Sequence, residues 1–448
     1  MSAVRSAPAE ESLSLRKTWL RLLVQPYPLA AVAVITALVI AILGMPDLIP
    51  AGSRWFTPIL LALPLILWAV IIMIRHRRHD IKPGAIDILL LATVTYFTFR
   101  NIRLLVLFYA FYGLGLFYLA SEITRSQRFL KNVIFAFAGL AFVAALLGLL
   151  ELVIFRQNLA ANFGIGNNDP RAIFPRVGST LLQPDYFGGF LVMALPVCGY
   201  LGLAGNSRNI RIFGLISTLL CLLSVLFTFA KGGWLITFFM GVLFVILLLR
   251  QRDLKKLALI AGLAAAILLS LIFLWQPVSG QTMLRIKSSV RSRTYTWKYA
   301  WREIAQNPVF GVGQAQGPIA LIDMNALLEK YYHDHSTPAA IDNYYLEYLL
   351  EEGAAGFLPF LLFLVLLFYR GARGLFRPGA HRGMLVPVFV GLAALCLDAV
   401  TFDALTWWSL FICFWVFAGL LNGLAAGGRA EGAIETVKGT AAAAAAEL

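Results

Sequence analysis

Between Gln276 and Asp342 the chain gathers Arg285, Arg291, Arg293, Trp297, Trp301, His333, His335 and Asp342, side chains able to hold phosphate and to move a proton. Arginine presents a planar fork of donors that meets two phosphate oxygens at once. Imidazole titrates near neutral pH, so His333 and His335 are candidate bases. Two histidines at i and i+2, with no cysteine or third histidine beside them, are a poor zinc set, and no metal or cofactor is expected. Asp342 opens an apolar run, where the plain reading is a helix cap whose carboxylate accepts amide hydrogens.

The elements that must position these residues are apolar. The chain has 448 residues, of which 60% are hydrophobic and 13% charged. Soluble domains carry about 25% charged residues, so the class is an integral membrane protein. A helix needs about 20 apolar residues to cross the hydrocarbon core. Runs of this kind lie at 27–44, 57–74, 85–99, 102–120, 132–155, 184–204, 210–229, 232–249, 256–275, 343–369, 385–402 and 406–424. The expected fold is therefore an all-α polytopic membrane protein of about 12 transmembrane helices, with a large external loop between the ninth and tenth. Its parts are helices one to nine at 1–275, the loop at 276–342, helices ten to twelve at 343–424, and a low-complexity tail at 425–448. The first apolar run lacks a clear small-residue cleavage site and is expected to be a retained span.

Charge placement orients the spans, because Lys and Arg of short loops stay cytoplasmic. Alternate loops hold Arg75, Arg77, Arg78 and Lys82; Arg125, Arg128 and Lys131; Arg208 and Arg211; Arg250, Arg252, Lys255 and Lys256; and Arg370, Arg373, Arg377 and Arg382. Both termini are then expected in the cytoplasm, with 156–183 and 276–342 outside it. Topology thus accounts for most of the net charge of +14, and no nucleic-acid signature accompanies it. Cys198, Cys221, Cys396 and Cys413 each sit in an apolar run and read as small buried hydrophobes.

Several charges escape the topological explanation. Lys231 lies between two spans on the external side and is followed by Gly232 and Gly233, which let a backbone or ligand come close. An ionisable group near the middle of a span costs about 2.5–3.5 kcal/mol and commonly marks a site. Asp398 and Asp403 fall under the same rule, and Asp398 is a candidate partner for Lys231. Arg171 and Arg176 face headgroups or a ligand, and Asp185 follows Pro184 in the first turn of the sixth helix. The segment 292–306 reads as an amphipathic helix with Trp297, Ala300, Trp301 and Ile304 on one stripe, Arg293 beside it, and Asn307-Pro308 as its stop. A second short amphipathic helix is expected at 318–332. Glu347 and Glu351 share one face of the tenth span and need polar partners.

In order along the chain, Arg293, Trp297, Ala300, Asn307-Pro308, Gly311-Val312-Gly313, Asp342-Asn343-Tyr344-Tyr345-Leu346 and Glu351-Glu352-Gly353 form a pattern. Gln183-Pro184-Asp185-Tyr186 and Ala230-Lys231-Gly232-Gly233-Trp234 precede it. The pattern resembles the core of the O-antigen ligase and O-antigen polymerase superfamily over roughly 178–369. The resemblance implies a metal-independent, GT-C-like membrane glycosyltransferase of the bacterial inner membrane, acting on its periplasmic face. The implied donor is a glycan on undecaprenyl diphosphate, and the implied acceptor is a glycan or lipid. Other polysaccharide-assembly proteins are possible partners, besides the membrane lipids. On this resemblance Arg293, Arg291, Lys231, Arg171 and Arg176 hold the diphosphate, and Asp342, His335 or His333 is the base. Asp185, Asn343 and Glu347 support them.

The chain departs from the family pattern at two places. Many members carry His-Asn where this sequence has Asp342-Asn343, and Arg where it has Lys231. The lysine keeps the charge and loses the fork. The first departure points to the polymerase or exopolysaccharide branch. A ligase that transfers a finished glycan is the alternative within the family. A polytopic transporter or flippase is the alternative from another class, although transporters place their polar sites near the midplane.

Overall fold

The computed structural model describes residues 27–43, 84–100, 104–155, 176–249, 293–313 apart from 295, 341–376 and 382–426. Among these the regular structure is helical: α1 (Tyr27–Leu43), α2 (Ala85–Arg100), α3 (Leu104–Ile123), α4 (Gln127–Leu150), α5 (Pro184–Ala204), α6 (Arg208–Thr228) and α7 (Lys231–Leu249) come first. They are followed by α8 (293–306), α9 (Tyr344–Leu375), α10 (Arg382–Asp398) and α11 (Trp408–Ala426). Six of the described helices are long and apolar enough to cross a membrane, and α1, α2 and α10 contain shorter apolar helices. Ten of the twelve expected spans coincide with helices; 57–74 and 256–275 lie outside the described residues, as do the second amphipathic helix at 318–332 and nearly all of the tail. The chain is a multi-pass membrane protein.

The short junction after Thr228 is a true boundary. Phe229 takes a left-handed conformation (φ 54) and caps α6, so that only Phe229 and Ala230 separate α6 from α7. Helix α5 is the hub, packed on α6 and α10, while α10 also contacts α7, and α9 packs along α2. Apolar surface gains little by leaving lipid, so this association rests on close contact. At the α5–α6 crossing a Cβ on Gly214 would collide with the backbone of Gly202. Phe137, Phe190, Phe363, Phe414 and Phe417 fill the centre, and all four cysteines are free and buried, as expected.

The bundle has two distinct ends. At one, Gly84 nears Arg370, Arg370 reaches Asn422, and Asn422 donates to Ser121, four residues before Arg125. Helices α5 and α10 run antiparallel, with Gly383 against Tyr200 at this end and Gly189 against Asp398 at the other. The described arginine-bearing turns, at Arg125, Arg208 and Arg370, and the described candidate residues thus fall at opposite ends of the bundle.

One expected span is in fact two helices. Gly353 breaks α9 with φ 64 and ψ −172, which leaves a leading helix, 344–352, and a span, 354–375. A break frees amides and carbonyls that need partners, and here the turn 308–313 supplies them. Ala354 and Ala355 N–H donate to the carbonyls of Pro308 and Val309, each at 2.9 Å, while Val312 and Gly313 N–H donate to Leu350 and Glu351, also at 2.9 Å. Gly311, at φ 65, and Gly353 face each other so closely that a Cβ on either would meet main-chain atoms. Arg100 clamps the joint from α2, donating to the Gly311 carbonyl (3.1 Å) and lying 3.9 Å from Glu352. Tyr96 donates to the Glu352 carbonyl at 2.7 Å.

A left-handed conformation alone costs a non-glycine residue about 1–2 kcal/mol, and the contact adds to it. Gly353→Ala and Gly311→Ala are each expected to lower the unfolding temperature in detergent by several degrees, with less than additive loss when combined. Gly241→Ala, where nothing lies within 4 Å, should be neutral or stabilising. Thermal unfolding of the four variants checks this.

Candidate functional site

The site begins with a buried acid. Glu151 ends α4 at the start of a π-helical turn, Glu151–Phe155, and is fully buried. Its Oε2 accepts from the amides of Gly178 (3.0 Å) and Ser179 (2.9 Å), and Ser179 Oγ donates to Ala144 O at 2.7 Å. The segment 176–183 is thereby tied down, and Val177 N–H donates to Phe227 O at 3.0 Å. Arg176 stands at its edge. Its Nε donates to Thr228 O (2.9 Å) and its Nη2 meets Asp185 Oδ1 at 2.7 Å.

Lys231 is the first residue of α7, an exposed cation at the positive end of a helix dipole, where a lysine is disfavoured. Gly232 lets the turn press on Thr401, and Trp234 Nε1 fastens α7 to Val225 O at 2.9 Å. Arg176 and Arg293 both lie within electrostatic reach of Lys231. The expected Lys231–Asp398 pair does not form. Asp398 is buried, 2% exposed, and turns instead to Thr401 Oγ1 (3.3 Å) and the bare backbone of Gly189, while Lys231 sits outside that packing.

Arg293 starts α8. This helix lays Trp297, Ala300 and Ile304 against Ile341, Leu346 and Leu350. Trp301, expected on the same stripe, is 56% exposed, because it lies about 100° round the helix from Ala300. Trp297 Nε1 donates to Ile341 O at 2.9 Å, which fixes the chain just before Asp342. Arg293 Nε then meets Asp342 Oδ2 at 3.3 Å.

Asp342 does not cap the helix. It takes a left-handed conformation, φ 50, and the cap is Asn343, whose Oδ1 accepts from Leu346 N–H at 3.1 Å. The carboxylate is left partly exposed at the side of the helix start. Burial pushes it above the usual carboxylate range, Asp403 and Asp185 add to this, and Arg293 pulls it back. The start of α9 is moored by Tyr344 N–H to the carbonyls of Ala399 (2.9 Å) and Phe402 (3.3 Å). Glu347 lies within electrostatic reach of Asp342 and Asp403, and its Oε2 is buried with no hydrogen-bond partner among the described residues.

Arg176, Asp185, Lys231, Arg293, Asp342, Asn343 and Glu347 are thus gathered at one end of the bundle. Arg171, Arg291, His333 and His335 lie outside the described residues. Sequence reasoning passed over Glu151 and Thr401, and named Tyr186 only as part of a motif. An acid in an apolar run before a loop was the available signal for Glu151. Among the described residues no three His, Cys, Asp or Glu side chains converge as a metal set.

Residues 216–361 match the O-antigen ligase family model, within the range over which the motifs resemble that superfamily. The match holds Lys231, Arg293, Asp342, Asn343, Glu347 and the Gly311–Gly353 joint; Arg176, Asp185, Asp398 and Asp403 lie outside it. No curated protein matches the chain.

The division of labour between Asp342 and Asn343 is testable. Asn343→Ala removes a cap and should lower stability by about 1 kcal/mol, whereas Asp342→Asn, which breaks a half-exposed ion pair, should change it by about 0–1 kcal/mol. Denaturation of both variants in detergent measures the difference.

Proposed function

We propose that this chain, with its O-antigen ligase-type domain, is a membrane glycosyltransferase that joins lipid-linked oligosaccharide repeats at the external face of a bacterial inner membrane. The observation that carries the reading is that Arg176 and Arg293 lie within electrostatic reach of Lys231, at the N-terminus of α7. Arg176 and Arg293 each hold an aspartate, whereas Lys231 makes no ion pair among the described residues, and three cations beside a positive helix end repel one another. Such an arrangement suits an anion, and the diphosphate of a lipid-linked donor is the anion we assign to it. Arg171 and Arg291 belong to the same proposed diphosphate site.

The chemistry needs little beyond charge and placement. An acceptor hydroxyl attacks the anomeric carbon from the face opposite the diphosphate. The new C–O bond forms as the old one breaks, its electron pair leaves on the diphosphate oxygen, and the cations hold that charge. The configuration inverts. The hydroxyl proton passes to Asp342, the base we assign; His333 and His335 are the other candidates. Arg293 links the two events, because the guanidinium that holds Asp342 in the free protein is one that would turn to the diphosphate. Asp342 then loses the neighbour that lowers its proton affinity.

The family description favours a second reading, transfer of a finished glycan to a lipid or other acceptor. A deletion strain distinguishes them: accumulated single lipid-linked repeats support polymerisation, long lipid-linked chains support ligation. Glycosyl transfer by purified protein in detergent, where no second compartment exists, is expected and argues against transport. Arg293→Ala should abolish long polymer at normal expression, and unchanged polymer would sink its role.

A base works only when deprotonated, so activity falls as pH drops through the raised pKa of Asp342. Asp342→Asn should reduce kcat by about 100- to 10,000-fold and remove that acid limb. Arg293→Gln removes the charge that opposes protonation, and the limb should move to higher pH. The pH profile of kcat/KM for the purified variants, which reports the groups of the free enzyme, reads both effects.

A further inference from the structure

The turn between α10 and α11 carries groups that the transfer chemistry above does not use. Tyr186, one turn into α5, stacks on Trp407 with ring centroids 4.6 Å apart and planes 9° from parallel. Its hydroxyl lies 3.2 Å from each carboxylate oxygen of Asp403. Thr406 Oγ1 donates to Asp403 Oδ2 at 3.1 Å and to Asp403 O at 2.6 Å. Tyr186, Trp407 and Asp403 are all partly exposed.

We propose that Trp407, Tyr186 and Asp403 form a carbohydrate subsite that seats the terminal sugar of the acceptor glycan beside Asp342. The proposal rests on the glycosyltransferase reading and names where its acceptor binds. Asp185 and Asp342 each hold an arginine, whereas Asp403 makes no ion pair among the described residues and is dressed by hydroxyls alone. A carboxylate held in place by two hydroxyl donors keeps lone pairs for two more, which is what a sugar edge offers. The C–H face of a pyranose is apolar and weakly positive, and it fits the electron-rich face of an indole. An interfacial tyrosine anchoring the protein to headgroups would turn its hydroxyl towards water; that of Tyr186 is committed to Asp403.

The mooring of α9 sets the distance to the reaction. Tyr344 N–H donates to Phe402 O, so Asp403 and Asp342 lie on adjacent strands of chain, one and two residues from the same hydrogen bond. The acceptor sugar in this subsite presents its hydroxyl to Asp342, while the diphosphate lies against the cations on the far side of the carboxylate.

The test uses full-length protein in detergent, with lipid-linked single repeat as donor and the free repeat oligosaccharide titrated as acceptor. Trp407→Ala should raise the acceptor KM about 10-fold, and Asp403→Asn by a similar factor, with the donor KM within about 2-fold of wild type. Trp407→Phe, which keeps a stacking face, should recover most of the loss and guards against misfolding. Equal changes in donor KM, or an unchanged acceptor KM in Trp407→Ala, overturn the subsite. If wild-type protein transfers nothing, the parent reading fails. Saturation-transfer NMR with the free repeat then decides the subsite by itself: transfer that Trp407→Ala abolishes supports it, and absence of transfer refutes it.

Discussion

The backbone joint between the turn 308–313 and the break at Gly353 is the constraint on which the rest depends. A helix interrupted near a membrane leaves amides and carbonyls with no water to satisfy them. Four main-chain hydrogen bonds from one turn close that deficit, and Arg100 and Tyr96 of α2 seal it from outside. Because the joint satisfies the break, residues 344–352 form a helix of their own. Asp342 and Asn343 therefore stand at the head of a short helix rather than at the mouth of a straight span. The remaining span of 354–375 is about 33 Å long at 1.5 Å per residue, enough for the hydrocarbon core unaided.

From this follows the separation of tasks at the helix start. Asn343 satisfies the free amide, so Asp342 is released to turn sideways towards Arg293. On the other side of the site, Glu151 binds two amides and holds the segment that bears Arg176. In both places a polar side chain satisfies backbone amides, and its charged neighbour is left to pair at the surface, Asp342 with Arg293 and Arg176 with Asp185. The cations themselves come from three segments far apart in sequence: that of Arg176 is tied to Glu151 and α6, Lys231 opens α7, and α8 with Arg293 packs on the start of α9.

Much of this was legible in the sequence. Apolar length and alternating basic loops located the described helices within a few residues, because lipid admits few alternatives to a helix. The stop at Asn307-Pro308 and the glycines at 311 and 353 were visible as motif positions, but their meeting was not. A helix break in an apolar run has no periodic signature, and its partner turn lies 40 residues away. Trp301 was placed on the wrong face because a single turn of helix offers two readings of the stripe. The Lys231–Asp398 pairing failed because matching sides of a membrane does not say which residue is buried. Tyr186 stood in the sequence only as a motif position and Trp407 carried no signal at all; their shared plane and common acid depend on the turn after α10 folding back on α5.

The main-chain character of the Gly311–Gly353 joint bears on how such a sequence can drift. Its hydrogen bonds ask for two glycines in unusual conformations and make few demands on their neighbours; Val309 and Phe310, inside the turn, are more than half exposed. Side chains there can be exchanged without disturbing the lock. A joint of this kind specifies the course of the backbone through two glycines and leaves the surface above it open to change.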